Sequence, residues 1–237
     1  GERLLATAQP MPRGIAWTTL KDQPPLGGFS HGTAGIALSL LRLAAESGED
    51  RFRQAAFDAL EFDRSLFVPE LNNWADLRVF ASKATEADPA TEPAPKSMVA
   101  WCHGAPGIGL ARLAALDQLA DTTTRDEIDI ALSATTQFGF AMNHSLCHGA
   151  LGNLELLLTA AELLDRPGDH DTLERATALV VASIEANGAV TAVPLGVETP
   201  GFMTGLAGIG YELLRLAEPG NVPSVLLLAP PRWQAQT

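Results

Sequence analysis

The sequence predicts an all-α fold built from repeated helical pairs, and three observations carry that prediction. Aromatic residues make up only 6% of the chain while alanine and leucine abound, a balance that favours helix over sheet. Four short segments share one pattern, and each opens an apolar helical stretch. Between them lie amphipathic stretches long enough for a second helix per repeat.

The four segments align without gaps. They are 29–36 (Phe-Ser-His-Gly-Thr-Ala-Gly-Ile), 101–108 (Trp-Cys-His-Gly-Ala-Pro-Gly-Ile), 146–153 (Leu-Cys-His-Gly-Ala-Leu-Gly-Asn) and 202–209 (Phe-Met-Thr-Gly-Leu-Ala-Gly-Ile). The shared frame is apolar, variable, His or Thr, Gly, two residues, Gly. Its first glycines stand 72, 45 and 56 residues apart. Glycine there permits a tight turn and close backbone approach where a helix begins. No Gly-Lys-Ser/Thr follows any frame, so a phosphate cradle is not indicated.

Each frame leads into a stretch that is apolar around much of its circumference, as expected of an inner helix: Ile36 to Leu43, Ile108 to Leu116, Leu154 to Leu164 and Ile209 to Leu216. More amphipathic, outer helices are expected at roughly 50–67, 124–140 and 169–186. Two segments break the pattern. Residues 81–97, rich in Pro, Ala, Thr and Glu, read as a flexible loop, and 187–201 as a second one. Both deliver the chain to the end of the helices where the frames lie.

Composition bounds the function. The net charge is −12, which disfavours gripping a phosphate backbone or an anionic membrane face. No apolar run approaches the ~20 residues that span a bilayer. Two cysteines cannot build a disulfide scaffold. No basic-then-apolar leader is visible, so a cytoplasmic protein without nucleic-acid or membrane partners is expected. The chain starts at Gly1 without an initiator methionine and is expected to be part of a longer protein.

Chemistry concentrates at the two positions before the first glycine of each frame: Ser30-His31, Cys102-His103, Cys147-His148 and Met203-Thr204. Both cysteines fall at one equivalent position, and three of the five histidines fall at the next. If the helical pairs close round an axis, these positions meet. Two thiols and an imidazole suit zinc and leave a fourth position open, as in catalytic sites. Buried free thiols are the plainer alternative. His144 and His170 have no equivalent in the frames. The acidic residues do not recur there either, so a pair of carboxylates for glycoside hydrolysis is not indicated, and a solvated helix face is their expected role.

The frames resemble those of the lanthionine synthetase cyclase family. Trp101-Cys102-His103-Gly104-Ala105-Pro106-Gly107-Ile108 and Cys147-His148-Gly149 carry the resemblance most specifically. The stretch from Gly201 through Tyr211 to Leu226 resembles the C-terminus of class II lanthipeptide synthetases, and Asn73-Trp74-Ala75-Asp76-Leu77-Arg78 has the look of the same group. The resemblance implies an α/α toroid of alternating inner and outer helices, with about four of roughly seven repeats in this chain. Residues 1–237 would then be the C-terminal part of a cyclase domain, whose remaining repeats and dehydratase lie upstream. It implies zinc (Zn2+) held by Cys102, Cys147 and His148, with His31 as the active-site histidine; the family does not use the position of His103 as a ligand. The implied activity is Michael-type addition of peptide cysteine thiols to dehydroalanine or dehydrobutyrine in a dehydrated lanthipeptide precursor, forming lanthionine and methyllanthionine rings. A relative that adds glutathione to dehydroamino acids, and a helical-repeat scaffold that only binds, are the alternatives. An open set of repeats is further expected to expose apolar faces at its first helices.

Overall fold

The computed structural model describes residues 1–78, 95–119, 121–141, 143–164 and 166–230. Each of the four frames runs directly into a helix: α2 (Thr33–Ser47), α4 (Ala105–Leu113), α6 (Ala150–Leu164) and α8 (Leu206–Ala217). Three further helices return the chain: α3 (Asp50–Ser65), α5 (Thr122–Phe138) and α7 (Pro167–Asn187). A short α1 (Glu2–Thr7) precedes them all.

Packing follows the expected alternation. The inner helices form a row in the order α2, α4, α6, α8, and α3, α5 and α7 each lie against the inner helix before them. The apolar sequences explain which row is inside. All of α4 is buried, as is α6 from Ala150 to Ala161, whereas α7 buries only Ala176 and Val180. Outer-helix boundaries differ slightly from the expected ones. Asp121 caps α5 by accepting from the Thr124 backbone N–H at 2.8 Å, so the helix begins at Thr122. Pro167 occupies the first position of α7, where its missing N–H costs nothing, and draws the start two residues earlier.

Two small antiparallel ribbons were not legible in the sequence: β1 (Gln9–Pro10) with β2 (Ile15–Ala16), and β3 (Phe67–Val68) with β4 (Asn73–Trp74). Most of the expected loop 81–97 lies outside the described residues. Its last residues run antiparallel to the end of the second ribbon, with Ser97 opposite Ala75.

The first inner helix is better covered than expected. The α1 segment and residues 225–227 pack on the same core as α2, and Trp17 ties α1 down by donating to the Leu4 carbonyl at 2.8 Å. Arg42 of α2 donates to the Leu227 carbonyl. Among the described residues, the exposed large apolar side chains include Leu206 and Leu214 of α8 but none of α2, so the apolar edge sits at the last helix rather than the first.

A second correction concerns the acids. Asp63, Glu127, Glu155 and Glu212 are buried rather than solvated. Arg112, fully enclosed in α4, reaches Asp63 at 2.8 Å and Glu127 at 2.9 Å. Arg215 of α8 pairs with Glu155 of α6 at 2.7 Å. These charges bridge helices inside the protein.

Candidate metal centre

The repeated frames are stitched to one another through their main chains. The Ser30 N–H donates to the Cys102 carbonyl at 3.2 Å, the Cys102 N–H to the Cys147 carbonyl at 3.2 Å, and the Cys147 N–H to the Met203 carbonyl at 2.9 Å. Register-equivalent positions are therefore nearest neighbours along a belt at one end of the inner helices. This is why two cysteines 45 residues apart come together.

The frame glycines make the belt sterically feasible. A Cβ on Gly107 would stand 1.9 Å from the Trp101 carbonyl oxygen, and one on Gly152 would stand 1.8 Å from that of Leu146. Gly35 and Gly208 meet the first carbonyl of their own frames in the same way, at 2.1 and 1.7 Å. Each frame folds back on itself so tightly that only glycine fits at its second conserved position.

The belt brings Cys102, Cys147 and His148 together, with their ligand atoms all within 4.8 Å of one another. Zn–S of about 2.3 Å and Zn–N of about 2.0 Å put tetrahedral donor atoms roughly 3.5–4 Å apart, so small side-chain movements would close the group on one ion. The donor set, two soft thiols and an imidazole, fits zinc chemically. Cys102 is buried, while Cys147 and His148 remain half-exposed, leaving an approach for a further ligand.

The electrostatics single out the same atoms. The two thiols share a proton: a hydrogen bond between them lowers Cys147 to about 5, with His148 adding to the effect, and pushes the more buried Cys102 up. Both sit just ahead of helix N-termini, α4 and α6, where helix dipoles favour anionic sulfur.

His31 is exposed at the start of α2, and its charge bears on Cys147. Its ring lies 6.1 Å from that of His103. His103 is buried, and burial drives its pKa down to about 4. It is not among the residues whose ligand atoms converge. His144 lies apart from the cluster and has a structural role: Nδ1 accepts from the Val190 N–H at 2.9 Å, and Nε2 meets Ser183 Oγ at 3.1 Å.

Residues 3–227 match the family of lanthionine synthetase C-like proteins, and the chain belongs to that family. Among curated proteins it is similar to the lacticin 481/lactococcin biosynthesis protein LcnDR2 of Lactococcus lactis subsp. lactis. The two are 22% identical over 224 residues, covering 88% of this chain and 22% of that protein. Among solved structures it is similar to nisin cyclase, with a TM-score of 0.65 and 22% identity over 86% of this chain and 50% of that one. The fold is thus the α/α toroid arrangement expected, and the chain spans half or less of the length of these relatives. No helix among the described residues is long and apolar enough to cross a membrane.

Proposed function

We propose that this chain carries out the ring-forming step of lanthipeptide maturation. A cysteine thiol of a dehydrated precursor peptide adds across the double bond of dehydroalanine or dehydrobutyrine in the same peptide, giving lanthionine or methyllanthionine. The observation that carries this reading is the convergence of Cys102, Cys147 and His148 at the frame ends of a lanthionine synthetase C-like chain. Cys102, Cys147 and His148 would hold zinc. Bound there with a fourth position open, zinc favours thiolate over thiol in an incoming cysteine.

The chain's own residues account for the rest. The belt fixes the backbone of both cysteines through main-chain bonds, so the donor residues are held side by side before substrate arrives. His31, beside the cluster and open to solvent, is the acid. As sulfur bonds to the β-carbon, the electron pair of the double bond moves to the α-carbon, which takes a proton from the His31 imidazolium. The thiol's original proton leaves to solvent. The step is a net addition and consumes no nucleotide and no oxidant.

The test is metal analysis together with cyclisation of a dehydrated precursor peptide. The protein should carry about one zinc per chain, and Cys147→Ala should lose it. His31→Gln should keep the metal and slow ring closure by about 10²-fold, the usual size of a general-acid contribution. Metal retained in the Cys147 variant, or unchanged ring closure without His31, would sink the assignment. Glutathione adducts formed in place of rings would move the chain to the glutathione-adding relatives.

A further inference from the structure

Cys102 stands at the tip of a tight antiparallel turn, and the side chain that closes the base of that turn belongs to neither of its arms. Val99 lies opposite Gly104, and the Ala100 N–H donates to the His103 carbonyl at 3.2 Å, which leaves Trp101 and Cys102 at the tip. One rung further out, where α4 begins at Ala105, the side chain of Asn73 reaches in from β4. Its Oδ1 accepts from the Ala105 N–H at 3.0 Å, and its Nδ2 donates to the Met98 carbonyl at 3.2 Å. The two ends of the stretch from Met98 to Ala105 are thus tied to one side-chain amide.

Asn73 is itself firmly held. It is buried, at 1% exposure. It pairs with Val68 of β3, and the Ala75 N–H donates to the Leu66 carbonyl at 2.8 Å, so the residue is tethered to the chain just after α3. Its Oδ1 also accepts from the Trp74 N–H at 2.8 Å, which fixes the amide. An amide offers a donor and an acceptor side by side, as the two ends of this turn require; a carboxylate in its place would turn an oxygen toward the Met98 carbonyl. The turn is drawn tight. Gly104 has φ +99°, and a Cβ there would stand 1.7 Å from the Met98 carbonyl oxygen.

We propose that Asn73 is a positioning residue for the metal centre, clasping the base of the Cys102 turn so that the buried thiol stays where Cys147 and His148 converge with it. This inference rests on the function proposed above. The belt joins Cys102 to the neighbouring frames through its N–H and carbonyl, while Asn73 holds the base of its own turn. Without the amide, the Ala105 N–H and the Met98 carbonyl lose a buried partner, and the arms of the turn part. Cys102 must then be ordered each time an ion binds, which lowers affinity although every ligand is still present. Asn73 acts through Cys102 and is not a ligand.

Two measurements on the full chain test this: zinc affinity by chelator competition, and iodoacetamide alkylation of each thiol in zinc-stripped protein, followed by mass spectrometry. Phe52→Leu supplies the reference for a merely structural loss. Phe52 is buried near the start of α3, at the end of the helices away from the frames. Rates are compared at equal distance below each variant's melting temperature. Asn73→Ala should weaken zinc binding about tenfold. It should also speed Cys102 alkylation about tenfold, as unpairing a buried polar group would. Phe52→Leu should leave both quantities within about threefold of wild type, since distant sites act independently. Asn73→Ser, whose hydroxyl can keep one of the two bonds, should fall between wild type and Asn73→Ala, and it carries the comparison alone if the alanine variant does not fold. Cys102 alkylation no faster in the Asn73 variants than in Phe52→Leu overturns the proposal, as does unchanged zinc affinity. A wild-type protein that takes up no zinc instead refutes the underlying function, and the alkylation rates then still decide whether Asn73 holds Cys102.

Discussion

Replacing Arg112 with methionine should destabilise the protein severely, and the structure sets the scale. The guanidinium is fully enclosed and holds two carboxylates, Asp63 at 2.8 Å and Glu127 at 2.9 Å. Methionine matches the bulk of the stem but leaves both acids buried without their cation. Breaking a buried ion pair from one side costs about 3–5 kcal/mol. That is a large share of the roughly 5–15 kcal/mol that holds a domain together. With a urea slope of about 2–3 kcal/mol/M, the midpoint should fall by about 1.5 M.

The loss should also depend on pH. Burial already pushes the Asp63 carboxyl up, and removing Arg112 removes the main opposing influence. The folded variant then keeps a proton on Asp63 that the unfolded chain releases near pH 4. Stability therefore falls as pH rises from about 4 toward the raised pKa of the folded state, so the deficit is smaller at pH 5 than at pH 7.5. Urea titrations followed by circular dichroism at pH 5 and 7.5 measure both effects. A midpoint within about 0.3 M of wild type at pH 7.5 would refute the reasoning, as would a deficit that does not shrink at pH 5. Asp63 also accepts from the Gly28 N–H and from Thr33 Oγ1 at the first frame, so the variant should loosen the surroundings of His31 as well.

Glu212→Gln should become increasingly favourable over wild type as pH rises. Burial and the neighbouring Glu155 push the Glu212 carboxyl well above its ordinary range, so the stability of its acid form is full at low pH and is lost on ionisation; melting temperatures that run parallel from pH 5 to 8.5 would contradict this. Gly107→Ala should cost about 3 kcal/mol, because its methyl would meet the Trp101 carbonyl and the belt beside Cys102 would have to move, and chemical denaturation checks the figure. Zinc affinity should rise about tenfold per pH unit between pH 7.5 and 8.5, above the range in which an ordinary imidazole gives up its own proton. Cys147 is already held down at about 5 while Cys102 is pushed up, so one proton leaves per ion bound; a hundredfold slope in chelator competition would mean that both thiols start protonated.

The helix rows and the meeting of the cysteines were legible because they are encoded locally and repeatedly. One frame, written four times, makes the same tight turn each time, and like turns pack side by side. Inner and outer helices followed from apolar periodicity alone. What escaped depends on partners far away in the chain. Asp63 and Glu127 look like residues of a solvated helix face until Arg112 of α4 is set between them. Arg78 looks like an ordinary basic residue until strand pairing brings it to Met98. The pairing that does this is a single bridge, Ala75 opposite Ser97, with one hydrogen bond from Asp76 to Lys96, below the length at which alternation can be read. The cover over α2 comes from α1 and residues 225–227, neither of which carries a repeat.

The belt decouples the spacing of the donors from the lengths of the connections between them. Intervals of 72, 45 and 56 residues all return to one hydrogen-bonded belt of backbone amides. Closing a longer flexible excursion costs only about 0.6 kcal/mol per doubling of its length. Insertions between the frames could therefore reshape the surrounding rim while the two cysteines stay neighbours along the belt. Such a scaffold can vary its surface without disturbing the meeting of Cys102, Cys147 and His148.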